Sequence, residues 1–369
     1  MRKALIVLLV LVMLGSVMAP TTAVNKRASE KLKLPEELTK EELLQLYRKY
    51  NITENDIRFA KGELPHPMDG TILDGSRKVL ITEDGRIPQH LREKLQRNNI
   101  SFDLVLSKKE MLSVIIEAEK KYRDMYGVDP ANPKVVIVNG VPIPKEYAQE
   151  LVRKGKIKPG PDRVLKPAFT TSTQTSGPHQ VNGVLYAYFI IALNDDYGHA
   201  PDSFSRIAQG TTDALQRFET EFGVDIVDLW ITGWDLSDVC NNASEALDDL
   251  REDWGWLADN VNDVVFGWAD NLDRNGIAYP DGTWYHSDGT WGAFAPFAIA
   301  SENIPAEWDW PEDSVVQHEM SHLFDAPDRG TWWWEHPECI MNYWYAYWGT
   351  DIWGSEDWTR VYHNIWGYW

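Results

Sequence analysis

The residues best suited to chemistry lie in the run His318-Glu319-Met320-Ser321-His322, which has the pattern HExxH. Residues four apart lie on one face of a helix, so the two imidazoles can bind one Zn²⁺ together. Zinc lowers the pKa of a bound water toward about 7, which makes that water a nucleophile at neutral pH. Glu319 can then take the proton and pass it to a leaving amine. The motif predicts a zinc site for peptide hydrolysis.

The residues before the motif predict the helix that this chemistry requires. Trp310–Asp313 indicates a helix start, because Pro suits the first turn and acidic side chains suit the positive end of the helix. Val316, Met320 and Leu323 then recur at helical spacing and give the helix a buried face. The alternative is a solvated helix with incidental histidines, and the residues downstream argue against it.

Two carboxylates and a methionine segment follow at regular positions. The stretch His318–Asp328, read as HExxHxxDxxD, resembles the long zinc signature of the metzincin metalloproteases. Cys339–Tyr343, with the sequence CIMNY, resembles their Met-turn, and Met341 lies 13 residues after Asp328. The resemblance is strongest over residues 311–345, and a weaker match in element order covers 180–369.

The resemblance implies a role for each matching residue. The implied zinc ligands are His318, His322 and Asp328. Glu319 would be the general base, and Met341 would form a hydrophobic floor beneath the metal without binding it. Tyr343 is a candidate to approach the metal or to stabilise the oxyanion.

The third ligand is less fixed by the sequence than the histidines. Asp325 stands where the metzincin signature usually has Gly, which lets the helix end in a left-handed turn. Asp tolerates that conformation better than most residues. Asp325 itself, His336 and Asp351 therefore remain competitors of Asp328, whereas a distant Glu ligand fits less well.

Charge and composition divide the chain. Residues 1–176 hold 30 Lys and Arg against 22 Asp and Glu, whereas residues 177–369 hold 6 against 34. No lysine follows Lys166, and all 18 tryptophans lie at or beyond Trp230. These shifts predict a basic N-terminal module at 24–165, a Pro/Ser/Thr-rich linker at 166–180 and a zinc protease domain at 181–369.

Residues 1–23 have the pattern of a secretory signal peptide. Arg2 and Lys3 precede the apolar stretch Ala4–Met13, and cleavage after Ala19 or Ala23 suits the small residues there. A membrane anchor is the alternative, but the apolar stretch is short for a span. We expect a secreted, extracellular protein with no membrane span in its mature form.

The basic module is a candidate propeptide, because it comes before the strongly acidic protease domain of a secreted protein. Opposite charges suit it to dock on that domain as an intramolecular inhibitor or chaperone, so we expect a zymogen. The segment Phe59–Gly70, which contains Glu63, His66 and Asp69, is a candidate to cap the zinc. A retained accessory domain is the alternative.

The predicted fold class is α+β. It combines a metzincin-like zincin domain, with a twisted and mostly parallel sheet, an active-site helix and a C-terminal helix, with a preceding α/β module. The substrate is expected to be an extended polypeptide along a sheet edge, at Asn275–Tyr279 or Gly292–Phe297. The strands predicted for the domain are 183–194, 227–232, 263–268 and 294–300, and the helices are 203–222, 245–256 and 357–366. In the module, helices are predicted at 36–50, 87–97 and 108–126, and strands at 79–81 and 135–138.

Three further expectations concern bonds and partners. Secretion makes a disulfide between Cys240 and Cys339 plausible, and free thiols or a Cys339 thiolate bound to zinc are the alternatives. The segment Asn271–Gly276 partly matches a Ca²⁺ loop but lacks its bidentate Glu, so a polar turn is favoured over calcium. The excess of acid argues against nucleic-acid binding, since phosphates would be repelled.

The 18 tryptophans raise two other functions. A secreted, non-enzymatic zincin-fold protein could bind glycans or proteins through an aromatic surface around Trp332–Trp334. A carbohydrate-active enzyme with paired carboxylates is the other, but it leaves HExxH and the Met-turn unexplained. Most of the rings are expected to pack in the core.

Overall fold

A computed structural model describes the chain over residues 32–157, 183–193, 200–239, 241–260, 262–278, 284–285, 291–292, 297–302, 310–324, 326–331 and 333–366. Pro35–Trp369 forms one compact unit. Among the described residues, no helix is long and apolar enough to cross a membrane.

A seven-stranded, mostly parallel sheet organises this unit. Its strand order is β2-β1-β6-β5-β7-β11-β8, and all neighbours are parallel except the pairs β1–β6 and β11–β8. The strands of the sheet are β1 (Val79–Thr82), β2 (Leu104–Ser107), β5 (Val184–Ala192), β6 (Asp225–Trp234), β7 (Asp263–Ala269), β8 (Gly276–Ala278) and β11 (Phe297–Ser301). Two small ribbons pair β3 (Val135–Val138) with β4 (Val141–Pro144), and β9 (Trp284–Tyr285) with β10 (Trp291–Gly292).

Helices connect these strands. In the described residues they are α1 (Lys40–Lys49), α2 (Glu54–Ala60), α3 (Gln89–Asn98), α4 (Lys108–Tyr126), α5 (Lys145–Arg153), α6 (Phe204–Phe222), α7 (Ala243–Trp254), α8 (Glu312–Leu323), α9 (Tyr343–Tyr347) and α10 (Ser355–Trp366). Short 3₁₀ turns lie at Pro35–Glu37 and Gly255–Leu257. The mixed α/β architecture and mostly parallel sheet agree with the predicted fold class at this coarse level.

The sheet extends across the boundary that composition predicts between module and protease domain. β1 and β2 come from the basic N-terminal region, and β1 pairs with β6 through Val79↔Thr232, Leu80↔Ile231 and Ile81↔Trp230. A single row of hydrogen-bonded strands therefore contains both regions. The charge shift along the chain does not correspond to two separate sheets.

The hydrophobic core also joins the two regions. Leu80, Leu91 and Leu95 from the N-terminal region share one buried cluster with Trp234 and Trp254. Beside it, Lys94 is buried and forms ion pairs with Asp263 at 2.6 Å and Asp259 at 2.9 Å. A buried charge of this kind requires partners, so Lys94 depends on carboxylates from the other half of the chain.

Candidate metal centre

The HExxH residues lie on α8, which begins after Pro311 and carries Glu312 and Asp313 in its first turn, as the sequence predicts. The helix packs against α6, β8 and β11, and every residue from 314 to 323 is buried. The helix therefore has no solvent-exposed face over these residues, and its polar side chains are buried together with its apolar ones.

Three candidate ligand atoms converge next to α8. Nε2 of His318 and Nε2 of His322 lie 3.1 Å apart, and Asp328 Oδ1 lies 3.2 Å from the first and 3.3 Å from the second. A tetrahedral zinc with bonds of about 2.0–2.1 Å holds neighbouring ligand atoms about 3.3 Å apart. The triangle therefore has the size that a zinc ion requires.

Backbone carbonyls fix the orientation of both imidazoles. Nδ1 of His318 donates to the carbonyl oxygen of Ile340 at 2.9 Å, and Nδ1 of His322 donates to that of Ala326 at 2.6 Å. With the protons on Nδ1, each Nε2 presents a lone pair to the centre of the triangle. Two lone pairs and a carboxylate oxygen facing one another repel unless a cation lies between them, so the donor set fits zinc.

Electrostatics favour positive charge at this position. Burial lowers the pKa of His322, but the carboxylates of Asp328 and Glu319 outweigh it and raise that pKa to about 9. Burial likewise opposes ionisation of Asp328, yet His322 and His318 hold its pKa well below the usual range. The site stabilises a cation, which a metal ion would supply.

Glu319 is buried beside the triangle and has an unpaired oxygen. Its Oε2 has no hydrogen-bond partner, and desolvation raises the pKa of the carboxyl group, against the pull of His318 and His322. Gly276 of β8 lies directly against this side chain, because a Cβ there would be 2.6 Å from both Cγ and Oε1 of Glu319. An orphaned buried carboxylate oxygen is costly, and a water molecule would satisfy it.

Tyr343 contacts the third ligand, Asp328. Its hydroxyl donates to Asp328 Oδ2 at 3.1 Å, and its ring lies 5.5 Å from that of His318. Desolvation, followed by the charges of Asp328 and Glu319, raises the pKa of Tyr343 well above its ordinary value. The phenol therefore keeps its proton and remains a hydrogen-bond donor.

The Met-turn lies against the first ligand. Ile340, whose carbonyl orients His318, precedes Met341, and the Met341 side chain is fully buried. Asn342 caps α9, because its side chain accepts from the backbone N–H of Trp344. The structure thus brings together His318, Glu319, His322, Asp328 and Tyr343, with Met341 in the adjoining turn.

The competing third ligands lie elsewhere or outside the described residues. Asp325 is outside them. Asp351 pairs with Arg217 at 3.4 Å, and His336 does not belong to the described metal-binding cluster. His66 is engaged at both ring nitrogens, by the Pro201 carbonyl and by the backbone N–H of Met68, so it does not cap the triangle.

The disulfide prediction needs correction. Cys339 is a free, buried cysteine, and Cys240 lies outside the described residues. The Cys339 thiol donates to Asp357 at 3.2 Å, and burial raises its pKa to about 11. The thiol serves as an internal hydrogen-bond donor at the start of the Met-turn.

The possible calcium loop is a structured turn. Asp273 accepts from the backbone N–H of Ala243 at the start of α7 and pairs with Arg274 at 3.3 Å. Asn275 is buried and accepts from the backbone N–H of Trp310. The two predicted edge segments differ in position. Residues 276–278 form β8, the last strand in the sheet order. Phe297 belongs to β11, which lies inside the sheet between β7 and β8.

Comparison with known proteins finds a distant structural likeness. No protein-family model matches the chain, and no curated protein matches it. A solved structure of metalloproteinase-II from Bacteroides fragilis is similar, with a TM-score of 0.38 and 16% identity over 71% of this chain and 72% of that one. A likeness this loose does not tell which reaction this chain performs.

Sequence reasoning missed two residues that shape the site. Gly276 is one, and Arg329, which follows the third ligand, is the other. A Gly before an apolar pair gives no signal of its own, since the contact that requires it lies 43 positions away at Glu319. The position of Arg329 next to Asp328 was visible, but its partner in α10 was not.

Proposed function

We propose that this chain is a secreted, zinc-dependent endopeptidase. The observation that carries the proposal is the triangle of His318, His322 and Asp328, with ligand atoms 3.1–3.3 Å apart, beside the unpaired oxygen of Glu319. A bound zinc would acidify a water molecule and polarise the scissile carbonyl. Secretion rests on the signal-peptide pattern of residues 1–23.

The chain's own groups would handle the protons. Glu319 accepts the proton of the attacking water on Oε2 and later delivers it to the leaving amine. The raised pKa of Glu319 suits this exchange, because a group takes up and releases a proton readily when its pKa moves toward the working pH. Tyr343 keeps its one phenolic proton, and on substrate binding this hydrogen bond would turn from Asp328 Oδ2 to the developing oxyanion.

The proposed substrate is an extended polypeptide on β8. Among the described strands this one ends the sheet order, and it pairs antiparallel with β11 through Ala298↔Ala278, Ile299↔Ile277 and Ala300↔Gly276. Its other side can pair with a peptide by strand addition. Gly276 touches Glu319, so a peptide held there passes next to the catalytic carboxylate.

For the N-terminal region, we propose a folding role. It supplies two strands to the sheet and buries Lys94 against Asp263. Within the described part of the chain, none of its His, Asp or Glu side chains joins the candidate metal cluster. These contacts support an intramolecular chaperone more than a zinc-capping inhibitor, and synthesis as a zymogen stays a proposal that cleavage experiments must test.

Glu319→Gln tests the function directly. The variant keeps the size and shape of the side chain, but its amide cannot accept a proton from water. We expect one zinc per chain in both proteins by elemental analysis, and at least a ~10²-fold loss of peptide hydrolysis in the variant. Glu252→Gln, at an exposed position of α7, serves as a control for removal of an acidic side chain outside the triangle.

A second candidate function is a binding protein without turnover. It is favoured by Trp333 and Trp334, which are each 56% exposed and pack edge to face at 5.7 Å. This function predicts zinc in both proteins and no hydrolysis by either one. Wild-type hydrolysis that disappears in Glu319→Gln would exclude it.

Tyr343→Phe separates oxyanion stabilisation from metal binding. Removing one oxyanion donor costs about 10²–10³-fold in kcat, so we expect a loss of that order. Zinc content should stay at one per chain, because the phenol contacts Asp328 through Oδ2 and the other carboxylate oxygen faces the histidines. Loss of zinc in this variant would instead make Tyr343 a positioning residue for the third ligand.

A further inference from the structure

The third ligand lies on an exposed loop, unlike the two histidines. The side chain of Asp328 is 43% exposed, whereas those of His318 and His322 are 2% and 10% exposed. An exposed carboxylate on a loop has many conformations, and holding one of them costs conformational entropy on metal binding. Some other contact must hold this loop in place.

Arg329, the next residue, is anchored far more firmly. Its guanidinium group binds both oxygens of Asp357, with Nε at 2.8 and 3.0 Å and Nη2 at 2.5 Å. The Arg329 side chain is 12% exposed and that of Asp357 is 2% exposed. A bidentate and nearly buried pair of this type fixes direction as well as distance.

Asp357 connects three elements at one point. It lies in the first turn of α10, holds Arg329 from the third-ligand loop, and accepts from the Cys339 thiol at the start of the Met-turn. The backbone adds two connections: Arg329 N–H donates to the carbonyl of Met341, and Tyr343 N–H donates to that of Gly330. The third-ligand loop and the Met-turn therefore form one unit around Asp357.

We propose that Arg329 is a positioning residue, which with Asp357 holds Asp328 at the metal and thereby sets the zinc affinity of the site. The inference rests on the metal site of the proposed function but not on peptide hydrolysis. Arg329 is not one of the three candidate ligands and acts through the loop that it anchors. The C-terminal helix α10 thus becomes part of the metal centre.

The test is zinc affinity, measured by competition with a chelator in the Glu319→Gln background so that turnover plays no part. Loss of a group that orients a metal ligand costs about 10–100-fold in affinity, and we expect that loss for Arg329→Lys. Lys keeps the charge but lacks the planar fork that binds both oxygens of Asp357. Asp357→Asn should weaken zinc binding to a similar degree. Arg251→Lys, which alters the pair with Asp248 within α7, should leave the affinity unchanged.

A double-mutant cycle distinguishes positioning from general destabilisation. Arg329→Lys should weaken zinc binding when Asp328 is present and have no effect in the Asp328→Ala background, because the arginine acts through that ligand. Circular dichroism and melting temperature establish that each variant is folded at the temperature of the titration. A folded Arg329→Lys or Asp357→Asn protein with the parent affinity would overturn the inference, as would an equal loss in both backgrounds. If the parent itself binds no zinc, the proposed function fails first.

Discussion

At the scale of single residues, the site depends on a glycine, Gly276, as well as on the side chains that could bind the metal. Gly276 lets β8 lie directly against Glu319, since a Cβ at this position would be 2.6 Å from the carboxylate. The backbone of Gly276 does not require glycine, because it has no positive φ. Close approach alone accounts for glycine here.

Gly276→Ala should therefore displace the Glu319 carboxylate without touching the zinc ligands. A shift of about 1 Å in a catalytic group can cost roughly 10²-fold, so we expect a fall of that order in kcat with one zinc still bound. Ile277→Val, the next residue of β8, is the matched control and should change stability slightly but not kcat. Unchanged kcat in Gly276→Ala would mean that Glu319 has room to move aside.

The spacing of chemical groups could be predicted at this scale, and their supports could not. His318, Glu319 and His322 lie within one helical turn and a half, so local periodicity was enough to place them on one helix. The link between Arg329 and Asp357 spans 28 positions and depends on where α10 packs. Nothing local in either residue indicates the other.

At the scale of elements, capping decided which predictions agree with the structure. Helix α4 has the predicted bounds, because Ser107 and Glu110 form a capping box at its start and Gly127 ends it in the left-handed conformation. The predicted helix at 36–50 is instead a 3₁₀ turn followed by α1. Thr39 and Glu42 form a capping box inside that range, which starts the α-helix late.

Helix α4 also anchors the start of α6. Its Glu119 is buried and accepts from the Ser203 hydroxyl at 3.0 Å, the Ser205 backbone N–H at 3.1 Å and the Ser205 hydroxyl at 2.5 Å. Ser203 is the N-cap of α6, and Arg206 of that helix pairs with Glu312, the first residue of α8. The N-terminal region is thus connected to the helix that carries HExxH.

Glu119→Gln should destabilise the whole chain. The amide replaces one acceptor oxygen with a donor, so at least one buried donor of Ser203 or Ser205 loses its partner, at a cost of about 1–3 kcal/mol. Urea unfolding would measure this change. Glu117→Gln, on the exposed face of the same helix, should change the free energy of unfolding by less than about 0.5 kcal/mol. Equal effects of the two substitutions would rule out a specific role for Glu119.

At the scale of the whole molecule, composition predicts a division that the sheet does not have. The basic and acidic regions differ in charge, yet β1 of the first pairs with β6 of the second. Most of the charged residues that distinguish the two regions face the solvent. Strand pairing depends instead on buried apolar residues such as Leu80 and Ile81, which do not contribute to the net charge. Sequence patterns located β1 but gave no means to choose its neighbour in the sheet.

Lys94 provides the test of this joint fold and of its pH dependence. Burial raises the pKa of Asp263 to about 6 despite the nearby Lys94, so the carboxylate is charged at pH 8 and largely protonated at pH 5. Because the folded-state pKa lies above the ordinary value of 3.8, ionisation of Asp263 costs stability as pH rises through about 6. Lys94 offsets that cost only while Asp263 is ionised.

Lys94→Met should therefore lower the free energy of unfolding by about 3–5 kcal/mol at pH 8, because it leaves a buried carboxylate unpaired. The loss should be smaller at pH 5, where Asp263 is mostly neutral. Arg97→Met is the matched control: its side chain is 63% exposed in an ion pair with Asp259, so the cost should stay below about 1 kcal/mol at both pH values.

Calorimetry of the wild type should show one unfolding transition for both regions. Separate transitions, with Lys94→Met affecting only the first, would mean that the basic region folds as an independent module after all.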